Sequence, residues 1–193
     1  MILYDKKPIG EKMIKSLFLL IIYLCTFDGV AAGWEVKSRI NYITDENRKS
    51  AFIKNADGHT LSIYRISEGG SVWANFALSD KSFDQLDSEN PPIYRIDKNE
   101  PSDLSFSKKM TEETSDDLKL YEWRPKWINF RIWHGNENKG LSKDVRYLMN
   151  GKEIVFRYYI FSGGYKYTSF SLKGAGPVIS SALDISQKED NKK

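Results

Sequence analysis

The 193-residue chain carries 29 basic against 26 acidic side chains, a formal balance of +3, and one cysteine. So small a surplus makes no field for gripping nucleic acid, and a lone cysteine rules out an internal disulfide framework. The length suits one domain that can bury a real core.

Lys6, Lys7, Lys12 and Lys15 precede an unbroken apolar run over residues 17–24, and Val30-Ala31-Ala32 follows it ahead of Gly33. A charged stretch, a short greasy core and small residues before a cut are the order of a secretory signal peptide, expected here over residues 1–32. The apolar core is far shorter than the ~20 residues that span a bilayer, which sets a retained anchor second to a cleaved leader. Met13 offers an alternative start that keeps the same leader. Cys25 lies inside it, behind Ile22-Tyr23-Leu24, where a lipid-anchoring signal needs small residues. The expected mature chain is therefore thiol-free, keeps all five tryptophans and is periplasmic or secreted. Its only dealings with a membrane are through the transient leader.

From residue 34 onward, short runs of β-branched and aromatic residues alternate with glycine turns, the pattern of an antiparallel meander. Strands are predicted over 34–40, 49–54, 61–66 and 72–78, with turns at Asp57-Gly58 and Glu68-Gly69-Gly70. After a polar stretch, Pro91-Pro92 introduces a strand over 93–97. Residues 104–117 are charged and read as a surface excursion with a helical turn near 112–118. The strongest strands fall at 126–134 and 153–161, and Ser162-Gly163-Gly164-Tyr165 joins the second to another at 166–172. A short helix is predicted between them, with Ser142 as its cap, Asp144 in its first turn, Leu141, Val145, Leu148 and Met149 on one face, and Gly151 at its end. A second starts at Pro177 and buries Val178, Ile179, Ala182 and Leu183. Residues 187–193 form a solvated tail, which leaves one β-rich domain over 33–186. The expected fold is mainly β, an antiparallel β-sandwich or curved sheet with two short helices; a closed barrel is the nearest alternative.

One step recurs on the predicted strands: Ile63-Tyr64-Arg65-Ile66, Ile93-Tyr94-Arg95-Ile96, Phe130-Arg131-Ile132 and Phe156-Arg157-Tyr158. In a strand, neighbours point to opposite faces, so the aromatic is expected in the core and the arginine outside. Around Trp127, residues Ile128, Phe130 and Ile132 make a core stripe, while Trp127, Asn129, Arg131 and Trp133 share the other face. Trp73 and Asn75 repeat this mixture of flat rings and hydrogen-bonding groups, as do Arg157 and Tyr159. If the strands are neighbours, these eight residues form one face suited to a glycan, peptide or protein partner. Arginine stacked on aromatics also simply covers exposed sheet surface, and that plainer reading stands beside the first.

Catalytic signatures are scarce. His59 and His134, the only histidines, form no metal-ligand motif, and no nucleophile elbow or phosphate loop occurs. Asp97, Glu100 and Asp103 follow no calcium-loop spacing and read as a solvated turn. The sequence assigns no catalytic residue, no metal and no cofactor.

The motifs Pro125-Lys126-Trp127-Ile128-Asn129-Phe130, Ile132-Trp133-His134-Gly135, Gly140-Leu141-Ser142, Phe156-Arg157-Tyr158-Tyr159 and Thr168-Ser169-Phe170-Ser171-Leu172-Lys173-Gly174-Ala175 resemble those of uncharacterised exported proteins of Gram-negative bacteria. Trp34 at the mature start, Tyr94, Arg95 and Asp97 at a strand end, and Phe170 before a short helix are distantly similar to accessory periplasmic proteins of type VI secretion. The chain departs from that second pattern in its mature part, which lacks cysteine. The first resemblance implies export; neither transfers a catalytic residue.

The leading expectation is an exported, non-enzymatic binding or accessory protein acting through the aromatic, arginine and asparagine face. The alternatives are an envelope hydrolase or metal-dependent enzyme built from Asp97, Glu100, Asp103 and His134, and a subunit that oligomerises through its aromatic face.

Overall fold

Among the described residues ten strands and two helices follow in order: β1 (Glu35–Asn41), β2 (Glu46–Lys54), β3 (Thr60–Arg65), β4 (Val72–Ala77), β5 (Ile93–Ile96), β6 (Ser102–Asp103), β7 (Tyr121–Arg124), β8 (Trp127–Trp133), α1 (Lys143–Asn150), β9 (Glu153–Tyr159), β10 (Tyr165–Ser171) and α2 (Ala175–Leu183). The computed structural model describes residues 33–41, 46–65, 70–104, 121–135 and 140–185. The expected leader, the bulk of the excursion and the tail lie outside these. The protein is mainly β, as the sequence predicts, with two antiparallel sheets. One sheet runs β1-β2-β3-β4-β8-β7 and the other β10-β9-β5-β6.

Alternation along the strands decides which face is buried. The six-stranded sheet turns Ala51, Ile53, Leu61, Ile63, Ala74, Phe76, Ile128 and Phe130 inward, each at most 4% exposed. The four-stranded sheet answers with Tyr94, Ile96, Ile154, Phe156, Tyr158 and Phe170. Phe76 and Phe156 stack across the layers with centroids 4.6 Å apart and planes within 8°. Tyr94 meets Phe130 across the layers at 5.1 Å with the planes tilted by 31°. These ring contacts pack the inner faces of the two sheets together, so their other faces look in opposite directions.

The helices complete the core. Ser142 Oγ caps α1 by accepting the Val145 N–H at 3.2 Å, and Gly151 N–H bonds Tyr147 O at the other end. Its buried Val145 and Leu148 sit among α2 and β8, and Tyr94 Oη donates to Asp144 at 3.0 Å, tying the small sheet to the helix. α2 begins two residues before Pro177, which stays in the first turn, and lies along β1, β2 and β3 with Ile179 and Leu183 buried. Gly176 is required where the helices touch, since a β-carbon there would stand 2.7 Å from the Met149 carbonyl oxygen.

Two strands lie outside the predicted set. β7 pairs with β8 through the Pro125-Lys126 turn, and the two-residue β6 pairs with β5.

Candidate functional site

Five of the eight predicted face residues do adjoin. Trp73 stands opposite Arg131, Asn75 opposite Asn129 and Ala77 opposite Trp127 on the outer face of the large sheet. The amides satisfy one another, with Asn75 Nδ2 donating to Asn129 Oδ1 at 2.7 Å and Asn129 Nδ2 reaching Glu122 at 3.4 Å. Arg124 covers the Trp127 ring, 5.7 Å from its centroid. Trp73 Nε1 and Arg131 Nη2 are shielded from solvent and hydrogen-bond to nothing, and burial lowers the Arg131 pKa. This surface is half-buried; its amides satisfy one another, while the Trp73 and Arg131 donors are covered without an acceptor.

The remaining three residues are elsewhere. A register irregularity between Val72 and Trp73 sets Trp133 opposite Val72, leaving Ile132 without a partner of its own. Both side chains are buried and Trp133 joins the core at 6% exposure. Arg157 and Tyr159 belong to β9, which pairs with β10 and β5 and not with β8, so they occupy the opposite surface of the sandwich.

That second surface has the geometry of a site. Its side chains form cross-strand rows, Tyr165 beside Tyr159, then Tyr167, Arg157, Ile93 and Asp103, then Val155 beside Arg95. The Tyr165 ring meets Tyr159 at 6.0 Å and Tyr167 at 5.6 Å, both edge to face. Tyr165 and Tyr167 remain 56% and 60% exposed. The Arg157 guanidinium lies 5.9 Å from the Tyr159 and Tyr165 centroids, and its Nε is buried without a hydrogen-bond partner. Beside the rings opens a cleft of about 390 Å³ lined by Arg95, Asp103, Val155, Arg157 and Tyr167 among others. Exposed Phe161, on the β9–β10 turn, extends the apolar surface beyond Tyr159. The sequence flagged Arg157 and Tyr159 but not Tyr165, Tyr167 or Arg95. Their signal was present in the tyrosines of Tyr165-Lys166-Tyr167, two apart on a strand.

A polar cleft of about 370 Å³ lies where the β2–β3 turn, the segment after β4 and the β9–β10 hairpin meet. At its base is His59, 6% exposed. Its Nδ1 accepts the Ser79 N–H at 2.9 Å, which leaves the proton on Nε2, 3.3 Å from Tyr158 Oη. Desolvation lowers the His59 pKa, against the opposing pull of Asp57 and Asp84. Burial, with the nearby Asp84 and Asp57, pushes Tyr158 up to about 12. Lys166 Nζ pairs with Asp84 at 2.7 Å, which holds that carboxyl below its usual value. Asn55 joins the β2–β3 turn to β10, donating to Thr168 Oγ1 at 2.6 Å and to the Ser169 carbonyl at 2.9 Å. Every polar tip named here is used to hold elements together, with no nucleophile set against a base.

The residues of the enzyme alternative are engaged differently. Asp97 takes the N–H groups of Lys152 and Glu153 on its carboxylate at 3.0 Å, closing the entry to β9. His134 follows β8 on the other sheet. Among the described residues, no three histidine, cysteine or acidic side chains gather closely enough to hold a metal ion.

No protein-family model, curated protein or solved structure matches the chain.

Proposed function

We propose that the protein is a non-enzymatic binding module of the cell envelope that holds a glycan on the outer face of its small sheet. The observation that supports this is the exposed row of Tyr159, Tyr165 and Tyr167, braced by Arg157 and opening into a cleft. Tyrosine presents an apolar ring and a polar tip, which suits the mixed C–H and hydroxyl surface of a sugar. On the large-sheet face Asn75 and Asn129 bond each other and Arg124 covers the Trp127 ring, which leaves less of that face for a ligand.

Immobilised glycans, read by surface plasmon resonance, test the assignment. Tyr167→Ala should weaken binding about tenfold, roughly 1.4 kcal/mol, with an unchanged melting curve because the ring is 60% exposed. Trp127→Ala should leave affinity unaltered. The reverse outcome, lost binding in the Trp127 variant and none in the Tyr167 variant, would move the site to the large sheet.

The reading also places the protein in the periplasm or outside the cell, supported by the charged, apolar and small-residue order of residues 1–32. Alkaline phosphatase fused behind residue 40 should be active in intact cells. An inactive fusion that is present at full level would sink the assignment.

A further inference from the structure

We infer that the glycan is anionic and that its acid group is held between Arg95 and Arg157. This rests on the small-sheet face being the binding face.

Arg95 stands opposite Val155, and Arg157 is two residues further along β9, so the two arginines are diagonal neighbours on one surface. Such diagonal positions lie roughly 7–8 Å apart, with the β-carbons somewhat closer, within reach of a shared ligand for side chains this long. Both line the same cleft. Neither guanidinium has a carboxylate partner among the described residues, and Arg157 also has a buried Nε without an acceptor. Two like charges so placed repel one another, and a bound anion relieves that repulsion and supplies Arg157 with an acceptor. The Asp103 carboxylate, on the far side of Ile93 from Arg157, sets the anion toward the arginines. Tyr159 and Tyr165 hold the Arg157 fork in place before any ligand arrives, which reduces the ordering it must undergo on binding.

The chemistry of the ligand follows from what adjoins the arginines. A planar guanidinium matches a carboxylate through two parallel hydrogen bonds. The exposed rings of Tyr165 and Tyr167 beside it offer a stacking surface for a sugar ring. A ring that bears a carboxylate, a uronic acid, satisfies both. An extended peptide added to the edge of β10 fits less well. The Ser169 and Ser171 carbonyls, which face that edge, already accept from Asn55 Nδ2 and Trp34 Nε1 at 2.9 and 2.8 Å. Only the short stretch around Tyr165 and Tyr167 is left for a new strand to pair with.

The full-length protein, purified after expression, is titrated with polygalacturonate and with its fully methyl-esterified form, which keeps the sugar chain and removes the charge. The acid form should bind about tenfold tighter, with an advantage that shrinks as salt is raised. Arg95→Gln and Arg157→Gln should each erase most of that advantage, and Arg157→Lys should restore part of it by returning the charge without the fork. Tyr167→Ala should weaken acid and ester alike. Equal affinity for acid and ester, with arginine variants unaffected, overturns the anionic inference and leaves the binding face standing. Binding of neither form by a protein with a normal melting curve overturns both. Polyglutamate bound as tightly as the polyuronate, with Tyr167→Ala harmless, overturns the sugar in favour of an acidic peptide.

Discussion

Replacing Phe156 with alanine is expected to lower the unfolding free energy by about 3–5 kcal/mol, the usual cost of emptying a large aromatic site in a core. Phe156 is fully buried, stacks on Phe76 at 4.6 Å and touches Tyr94, Phe130 and Phe170 at 5.8 to 6.3 Å. It is one of the rings through which the small sheet reaches the large one, beside Tyr94, Tyr158 and Phe170. No disulfide compensates, because the only cysteine is Cys25. Urea unfolding followed by tryptophan fluorescence measures the loss as a fall in midpoint at unchanged slope. Phe161→Ala is the control, since that ring is 79% exposed and its loss should fall within about 0.5 kcal/mol of zero. Equal effects at the two positions would contradict face-to-face packing of the sheets.

Acidification should destabilise the protein through His59. Its folded pKa is lowered from the ordinary 6.5, chiefly by desolvation, and its Nδ1 is committed to the Ser79 N–H. Above pH 6.5 the imidazole is neutral in both states and the clamp contributes in full. As the pH falls below 6.5 the unfolded chain takes up a proton that the folded one resists, so stability is lost until the folded pKa is passed. The slope for one proton is at most about 1.4 kcal/mol per pH unit. The groups facing the ring are Asp57, Asp84, Lys166 and Tyr158. Asp84, whose pKa is lowered by Lys166, loses its contribution only below its ordinary value of 3.8 and is separate from this window. Chemical denaturation between pH 8 and pH 5 should show the decline, and His59→Asn, though less stable at pH 8, should show a flatter profile. A variant that keeps the wild-type slope would remove His59 from the explanation.

Strand positions were legible because alternation is local. The runs around residues 72–78, 126–134 and 166–172 match β4, β8 and β10 to within a residue at each end. β7 was hidden because Tyr121-Glu122-Trp123-Arg124 is a short edge whose partner, β8, identifies it only once the hairpin is made. The repeated aromatic-arginine step holds at Tyr94, Phe130 and Phe156, which are buried beside more exposed arginines. It inverts at Ile63-Tyr64-Arg65, where Ile63 takes the core and Tyr64 turns out, because register and not motif sets the facing. Trp133 escaped prediction through a bulge, which breaks the period of two. The split of the eight-residue face came from topology. No local pattern says that β9 joins β5, and that single pairing carries Arg157 and Tyr159 to the far side. His59 was illegible for the same reason, since Tyr158 lies 99 residues away in sequence.

Trp34 gives the proposed cleavage of a leader a structural stake. Its indole spans 137 positions to close on the Ser171 carbonyl, so the second described residue secures the last strand. A leader cut after Ala32 would leave this tryptophan one residue inside the new amino terminus, and a cut two residues later would remove it and bare the carbonyl it covers. Accuracy in trimming the leader and protection of the domain against edge-to-edge self-association would then depend on the same side chain.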